Sequence, residues 1–153
     1  DPANQLTIET RHGKIVVQMR PDLAPKHVER VKTLAGQGFY NGVPFHRVIA
    51  GFMAQTGDPT GTGTGGSKLP DLPAEFSQEP FKTGTIGAAR STSPNSANSQ
   101  FFICFNDAGC SGLRGQYTVW GQVIEGMDAV NKIARGEPPA QPDMMQKVSV
   151  GKK

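Results

Sequence analysis

The sequence predicts a mainly β protein, a closed eight-stranded antiparallel β-barrel capped by two α-helices, and three observations support this prediction. About eight short apolar or alternating runs are spread evenly along the chain. Only two segments have helical spacing, and they do not alternate regularly with strands, which argues against a doubly wound parallel sheet. The 153 residues include 19 glycines and 12 prolines, which indicates many turns. Closure removes exposed strand edges, and the length suits a single domain over residues 1–153.

The N-terminal third of the chain predicts a hairpin followed by a helix. Residues 6–10 and 14–19 alternate as strands and flank a short turn. Pro25 suits the first turn of a helix, and Val28, Val31 and Leu34 recur at helical spacing up to a glycine at position 36.

The second half of the chain supplies the remaining elements. Three further strands, a second amphipathic helix and a closing strand are predicted, over 85–89, 100–105, 117–123, 126–134 and 148–150. Residues 69–82 contain several prolines, so we expect this segment to wrap over the surface.

Two stretches carry polar groups in apolar surroundings. Residues 45–58 set Arg47 and Gln55 among Phe and Met side chains, and residues 99–105 place Gln100 beside aromatic residues. An arginine tolerates an apolar setting only with paired donors or with its charge directed at a ligand. The two stretches together predict an apolar pocket with a few polar donors.

Strand alternation predicts how this pocket is arranged. Gln100 and Phe102 share one face of their strand, Met53 and Gln55 share one face of theirs, and Arg47 lies on the partner strand. If these faces adjoin, they form a hydrophobic floor rimmed by donors. Such a floor accepts a compact apolar ring with backbone carbonyls beside it, as in a proline-containing peptide.

Phe52 does not follow this alternation, so it can join the pocket only where the chain bends near Gly51. The alternative to a binding pocket is an ordinary barrel core in which the two amides pair with the backbone. The residues by themselves leave both interpretations open.

The glycine-rich segment 58–66 invites a phosphate-binding interpretation, because glycines let backbone N–H groups approach an anion. It lacks the lysine and hydroxyl placement of a P-loop. We therefore favour a structural or substrate-facing loop, and we disfavour a nucleotide-binding protein.

Other catalytic arrangements are hard to assemble. No hydrolase elbow or zinc-protease motif is present. We interpret Asp58 as a turn aspartate and Glu75 as a surface glutamate rather than as a carboxylate pair. His46 is either a general base or a structural imidazole.

Composition excludes several classes of function. The net charge of +3 and the pI near 9.0 come without a basic cluster beyond the terminal Lys152-Lys153, so nucleic acid is not an expected partner. No apolar run approaches the length of a membrane span. The three histidines have no ligand spacing, so no metal is expected. We expect Cys104 to be a small core residue and do not favour a bridge to Cys110.

Four blocks of the sequence, 45–49, 51–58, 63–66 and 99–103, resemble the signature blocks of the cyclophilins, a family of peptidyl-prolyl cis-trans isomerases. Their order and spacing match over almost the whole chain, and the 116–121 block looks like the bacterial branch. The resemblance implies an eight-stranded antiparallel barrel with two helices. It also implies isomerisation of Xaa-Pro bonds without a cofactor or metal, in proline-containing peptides and in unfolded or folding proteins.

By this resemblance, Arg47 matches the catalytic arginine, and ten further positions match the substrate-binding residues. These are Phe52, Met53, Gln55, Ala89, Arg90, Ser91, Gln100, Phe102, Leu113 and Tyr117. By the same resemblance, the proline ring is held by Phe52, Met53, Phe102 and Leu113. The two glutamines contact the peptide backbone, and residues 89–91 contact the residues that precede proline.

Two positions depart from the family pattern. Gly112 stands where many members have an aromatic residue, and Arg114 replaces a common aspartate. The rim of the pocket therefore lacks one aromatic side chain. We expect cyclosporin to bind weakly and turnover to be reduced, while the floor that holds proline is intact.

The sequence leaves the biological setting open. A binding or chaperone module that uses the same groove without turnover is the alternative to an enzyme, although Arg47 together with Gln55, Phe102 and Leu113 favours the enzyme. The chain begins at Asp1, which fits a processed periplasmic protein, and a cytoplasmic location is the alternative. Nothing demands an oligomer, so we expect a monomer.

Overall fold

A computed structural model describes residues 2–151, so Asp1, Lys152 and Lys153 lie outside the described residues. The two ends of the domain predicted over 1–153 and the prediction of a processed N-terminus at Asp1 therefore also lie outside them. The strands are β1 Gln5–Thr10, β2 Gly13–Met19, β3 Val43–Pro44, β4 Arg47–Ile49, β5 Met53–Thr56, β6 Thr85–Ala88, β7 Phe101–Cys104, β8 Val119–Glu125, β9 Met144–Met145 and β10 Lys147–Val150. The helices are α1 Pro25–Gly36, α2 Asp107–Cys110 and α3 Met127–Asn131, with 3₁₀ turns at Pro2–Asn4 and Ser111–Leu113.

Eight of the strands form one curled antiparallel sheet in the order β10-β1-β2-β8-β6-β7-β5-β4. The order leaves β10 and β4 at the two ends, so the predicted closed barrel is not confirmed. β3 and β9 form a separate two-stranded sheet. The N–H of Gln146, next to β9, donates to the carbonyl of Glu9 in β1 over 2.8 Å. This bond links the small sheet to β1 of the larger one.

Apolar side chains are buried on both faces of the sheet. The larger core lies on the face covered by α1, which packs against β10 and β8. Its centre is aromatic, because the Phe101 ring meets the Tyr40 and Trp120 rings edge to face at 5.6 and 5.2 Å. A smaller cluster on other strand positions contains Met53 and Phe102. The sheet thus has a second apolar face, where a site can be built.

The predicted first helix is confirmed, and its N-terminus reveals a role for Glu75. The carboxylate of Glu75 accepts hydrogen bonds from the N–H groups of Lys26 and His27 at 3.2 and 2.9 Å. It also lies 2.6 Å from Nδ1 of His27. Helix N-termini present unpaired donors that a carboxylate satisfies well. Our interpretation of Glu75 as a plain surface residue was therefore wrong.

The predicted second helix is shorter than 126–134. It covers only Met127–Asn131, because the backbone beyond Lys132 leaves the helix and the N–H of Ala134 donates to the carboxylate of Asp143 at 2.8 Å. The apolar side of the predicted amphipathic helix nevertheless faces the core, since Val130 and Ile133 are buried. α3 packs against β2.

The two cysteines form a disulfide, which corrects the expectation of a free core Cys104. Cys104 at the end of β7 is bonded to Cys110 at the end of α2. The short α2 and the 3₁₀ turn that follows it fold back on the strand, which brings the two sulfurs together.

Candidate active site

The sheet register places three of the predicted site residues in one row. Arg47 of β4 lies opposite Gln55 of β5, and Gln55 lies opposite Phe102 of β7. Directly opposite residues in a sheet project to the same face, and so does Met53, two residues before Gln55. The expectation that these strand faces adjoin is confirmed.

A chain of polar contacts runs along this row. Nη1 of Arg47 donates to Oε1 of Gln55 at 3.4 Å, and Nε2 of Gln55 donates to Oε1 of Gln100 at 2.9 Å. Nε2 of Gln100 in turn donates to the carbonyls of Gly63 and Gly65 at 3.0 and 2.9 Å. Each amide thus uses its oxygen and its nitrogen on defined partners, which fixes the side-chain orientations.

Arg47 lies at the rim of the site rather than within an apolar setting. Its side chain is 45% exposed, and Nε donates to Oε1 of Glu137 at 3.1 Å. Within residues 2–151, Nη2 has no hydrogen-bond partner. The guanidinium is therefore held at two of its three nitrogens, and its Nη2 edge is free for a ligand.

Arg47 is one of the residues that line a cavity of about 110 Å³. Its floor is apolar, with Met53 only 2% and Phe102 only 4% exposed. Phe52 reaches the cavity from the turn before β5, where Gly51 has φ +75°, as the predicted bend requires. The cavity is lined by Arg47, Phe52, Met53, Gln55, Ala89, Arg90, Phe102, Leu113 and Tyr117. It offers an apolar floor with polar donors at the edge.

The Phe102 ring is held from behind and from the side. It stacks on Phe81 at 5.8 Å and meets Tyr117 edge to face at 5.6 Å. Gly87 lies opposite Phe102 on β6, and a Cβ there would lie 2.7 Å from the Phe102 and Phe81 rings. Glycine at position 87 therefore leaves room for the rings that form the floor.

Arg90 connects two segments that flank the cavity. Its Nε donates to the carbonyl of Gln116 at 2.9 Å, and Nη1 donates to the carbonyl of Ser91 at 3.0 Å. Its guanidinium carbon lies 4.9 Å from the centre of the Tyr117 ring and 5.9 Å from that of Phe76. These contacts stabilise the Tyr117 wall of the cavity.

A second cavity of about 550 Å³, lined mainly by polar residues and glycines, adjoins the first and shares Gln55, Ala89 and Arg90 with it. Its other walls include Ser91, Gln100 and the glycine loop over 63–67. Its size and its polar residues leave room for a ligand that extends beyond the apolar cavity.

The glycine loop binds a carboxylate of its own chain. The side chain of Asp58 is fully buried and accepts hydrogen bonds from the N–H groups of Thr60, Thr62, Gly63 and Gly65 and from the hydroxyl of Thr60. Burial by itself would raise the pKa of Asp58, but these donors outweigh it and lower the pKa to about 2. Since its amides are occupied, the loop is structural, and a phosphate cradle is excluded.

His46 lines neither cavity. It is buried, and within the described residues neither ring nitrogen has a hydrogen-bond partner. Burial lowers the pKa of His46, and the nearby Asp58 opposes this shift. A neutral structural imidazole fits this position, whereas a general base requires access to a substrate.

The structure offers no metal site in the part of the chain that it describes, since no three His, Cys, Asp or Glu side chains cluster as ligands. None of the helices within residues 2–151 has the length and apolar character that crossing a bilayer requires.

The structure brings all eleven predicted site residues to the walls of the two adjoining cavities. Gly112 is exposed and lines neither cavity. Sequence reasoning missed three contributors, namely Glu137, Phe81 and Gly87. Glu137 lies 90 positions from Arg47, and no local pattern signals that contact.

Comparison with known proteins places the chain among isomerases. The profile described as cyclophilin type peptidyl-prolyl cis-trans isomerase/CLD matches residues 5–150. The chain is 56% identical over 147 residues to a probable peptidyl-prolyl cis-trans isomerase from Brucella suis, covering 89% of this chain and 74% of that protein. It is 42% identical over 135 residues to a peptidyl-prolyl cis-trans isomerase from Helicobacter pylori, covering 86% and 80%.

A comparison with solved structures agrees with these sequence matches. A cyclophilin from Hirschia baltica superposes with a TM-score of 0.88 at 27% identity, covering 98% of this chain and 74% of that one. A cyclophilin type peptidyl-prolyl cis-trans isomerase from Cryptosporidium parvum, solved in the presence of the dipeptide Ala-Pro, superposes with a TM-score of 0.88 at 25% identity, covering 97% and 99%.

Proposed function

The chain belongs to the cyclophilin-type peptidyl-prolyl cis-trans isomerases and is an enzyme that rotates Xaa-Pro peptide bonds, and we propose that Arg47 is its catalytic residue. The observation that carries this proposal is that Arg47, which has a free Nη2 edge, lines the same cavity as Met53 and Phe102. A proline ring on the floor places its own peptide bond next to that edge.

The apolar cavity takes the proline ring itself. Phe52, Met53, Phe102 and Leu113 supply its apolar lining, and the cavity of about 110 Å³ suits one small ring. The Cryptosporidium relative was solved in the presence of Ala-Pro, which supports a proline-containing ligand for this chain too. The ligands in the cell would be proline-containing segments of unfolded or folding proteins.

The polar cavity takes the residues that precede proline. The wall next to the apolar cavity consists of Ala89 and Arg90, which line both cavities, and Ser91, which lines the polar one. A peptide leaving the apolar cavity meets this wall first. Gln55 and Gln100 stand between the floor and the glycine loop, where their amides can bind the peptide backbone.

The chemistry requires selective binding rather than a nucleophile. Rotation about a prolyl bond crosses a barrier of ~18–20 kcal/mol because amide resonance is lost in the twisted state. A donor that binds the twisted amide better than either planar isomer lowers this barrier. Arg47 can donate to the prolyl carbonyl or toward the imide nitrogen as it becomes pyramidal. Each ~1.36 kcal/mol of such selective stabilisation gives about tenfold in rate.

The test is a coupled isomerisation assay on a short Xaa-Pro peptide, run with wild type and with Arg47 variants. A thermal-shift measurement with nucleotide serves as the control for the rejected phosphate site, and no shift is expected. A folded Arg47→Ala variant that turns over at the wild-type rate would refute the assignment of Arg47.

The open rim at Gly112 leads to a prediction about cyclosporin. A Cβ at this position meets no atom within 4 Å, so the Gly112→Trp variant should fold normally. An added indole next to Leu113 supplies apolar contact area, and we expect about tenfold tighter binding of cyclosporin than to the weakly binding wild type. Inhibition constants for both proteins, with Gly36→Ala as a matched substitution at an exposed helical glycine, provide the measurement. Equal and tight inhibition of wild type and Gly112→Trp would contradict this.

The disulfide supports an oxidising compartment, such as a periplasm, as the location of the protein. Disulfides persist in exported proteins and are rare in the cytoplasm, where thiols are kept reduced. The bridge joins the end of β7 to the segment that leads to Leu113, so it also braces one wall of the apolar cavity.

Reduction of this bridge is expected to lower the free energy of unfolding by about 2 kcal/mol, the loop-closure entropy of so short a loop. Denaturant unfolding with and without reductant measures the difference, and the Cys104→Ser/Cys110→Ser variant should show no response to reductant. Alkylation of the unfolded protein taken from its source should find no free thiol. A fully alkylated chain would contradict an oxidising location.

A further inference from the structure

We propose that Glu137 is a positioning residue for catalysis, which holds the Arg47 guanidinium in a fixed orientation at the wall of the proline cavity. This inference rests on the proposed catalytic role of Arg47. Glu137 lines neither cavity, so it has no contact with a substrate placed there. Its effect therefore passes through Arg47.

The guanidinium geometry carries the inference. A planar guanidinium has a rigid fork of donors, so fixing two of its three nitrogens fixes the direction of the third. Glu137 accepts from Nε at 3.1 Å, and Gln55 accepts from Nη1 at 3.4 Å. The Gln55 contact is long for a hydrogen bond, so the carboxylate on Nε is the stronger of the two restraints.

The backbone around Glu137 is built to keep the carboxylate at this place. The preceding residue, Gly136, exchanges two backbone hydrogen bonds with Val48, the neighbour of Arg47, both at 2.8 Å. Gly136 has φ +143°, and a Cβ there would lie 2.5 Å from Cα of Pro139. Glycine at this position thus permits a tight turn that is tied directly to β4.

The same segment is anchored at its other end. Asp143 is buried and accepts from the N–H of Ala134 at 2.8 Å, and Nε2 of His12 lies 3.1 Å from its carboxylate. Arg11 forms an ion pair with it as well. The segment from 134 to 143 is therefore fixed on both sides of Glu137, which makes the carboxylate a defined support for Arg47.

The expected loss of activity follows from the solvent exposure of the Arg47–Glu137 ion pair. Arg47 and Glu137 are 45% and 57% exposed, and ion pairs of this kind are weak in water. We expect the Glu137→Gln variant to lose about twofold to fivefold in kcat on an uncharged Xaa-Pro peptide, with KM nearly unchanged. Glu29→Gln, the same charge change on the exposed side of α1, should keep wild-type kcat.

Two further readouts separate positioning from a general structural effect. The Nε–H resonance of Arg47 should be protected from solvent exchange in wild type and in Glu29→Gln, and should lose that protection in Glu137→Gln. Raising salt from about 50 to about 500 mM should narrow the difference in kcat between wild type and Glu137→Gln, because screening weakens an exposed ion pair.

The outcomes are distinct. Wild-type kcat in Glu137→Gln, an equal loss in Glu29→Gln, or an unchanged Nε–H resonance would each overturn the role of Glu137. A fall in melting temperature in Glu137→Gln that accounts for lost turnover would also overturn it, since the loss would then be structural. Wild-type turnover in Arg47→Ala would instead overturn the proposed function, so the two failures can be told apart.

Discussion

Replacing Arg47 with Ala is expected to lower kcat/KM for a short Xaa-Pro peptide by about 10²–10³-fold, the range found when one donor to a developing charge is removed. The loss should fall mainly on kcat, because the guanidinium binds the twisted amide more tightly than the planar one. The proline floor of Met53 and Phe102 stays in place, so peptide binding should persist. A protease-free exchange measurement by NMR gives both constants.

The fold of this variant should be unchanged, because the Arg47 side chain is 45% exposed and its ion pair with Glu137 contributes little to stability. Arg20→Ala is the matched control, since Arg20 is also partly exposed and paired with a carboxylate, that of Asp22, but lines neither cavity. Arg47→Lys should remain impaired, because an ammonium cannot reproduce the fork. Normal turnover in folded Arg47→Ala, or an equal loss in Arg20→Ala, would contradict the role.

Replacing Asp58 with Asn is expected to give the largest loss of stability, about 2–4 kcal/mol in the free energy of unfolding at neutral pH. The carboxylate accepts five hydrogen bonds from its own loop, and a neutral amide offers only one oxygen for them. Gln100 donates to the carbonyls of Gly63 and Gly65 in that loop, so turnover should fall as well. Urea unfolding at neutral pH measures the loss.

The contribution of Asp58 to stability is expected to fall as the pH is lowered. The pKa of Asp58 is lowered from 3.8 to about 2 in the folded protein, so its stabilisation is complete above 3.8 and is lost as pH falls through about 2. The stability difference between wild type and Asp58→Asn should therefore shrink across this window. Asp22→Asn, which removes an exposed carboxylate, should change stability by less than about 1 kcal/mol. A difference between wild type and Asp58→Asn that stays constant from neutral pH to pH 2 would contradict this account.

Much of the site could be predicted because strand geometry is local. Alternation with period two places Gln100 with Phe102 and Met53 with Gln55, whatever the rest of the chain does. Only the pairing of these strands had to be supplied, and the register of β4, β5 and β7 supplies it. The apolar face of α1 was predictable for the same reason, because the spacing of apolar residues along a short segment defines it.

The contributors that were missed are contacts between distant parts of the chain. Glu137 and Arg47 are 90 positions apart, and Glu75 and His27 are 48 positions apart. A glutamate in a loop looks the same in sequence whether it meets an arginine, a helix terminus or water. The Cys104–Cys110 pair is close in sequence, but its formation depends on how α2 turns back on β7.

The sequence by itself determined most of the long strands and the first helix, the residues that form the apolar floor, and the family to which the chain belongs. These follow from short-range periodicity and from motifs that are continuous in the chain. The tertiary structure decided that the eight-stranded sheet leaves β10 and β4 at its ends and that Asp58 accepts hydrogen bonds from four amides of the glycine loop. It also decided that Nη2 of Arg47 has no hydrogen-bond partner among the described residues. Each of these depends on which distant groups meet in space, and pairing across the fold is not encoded in any single segment.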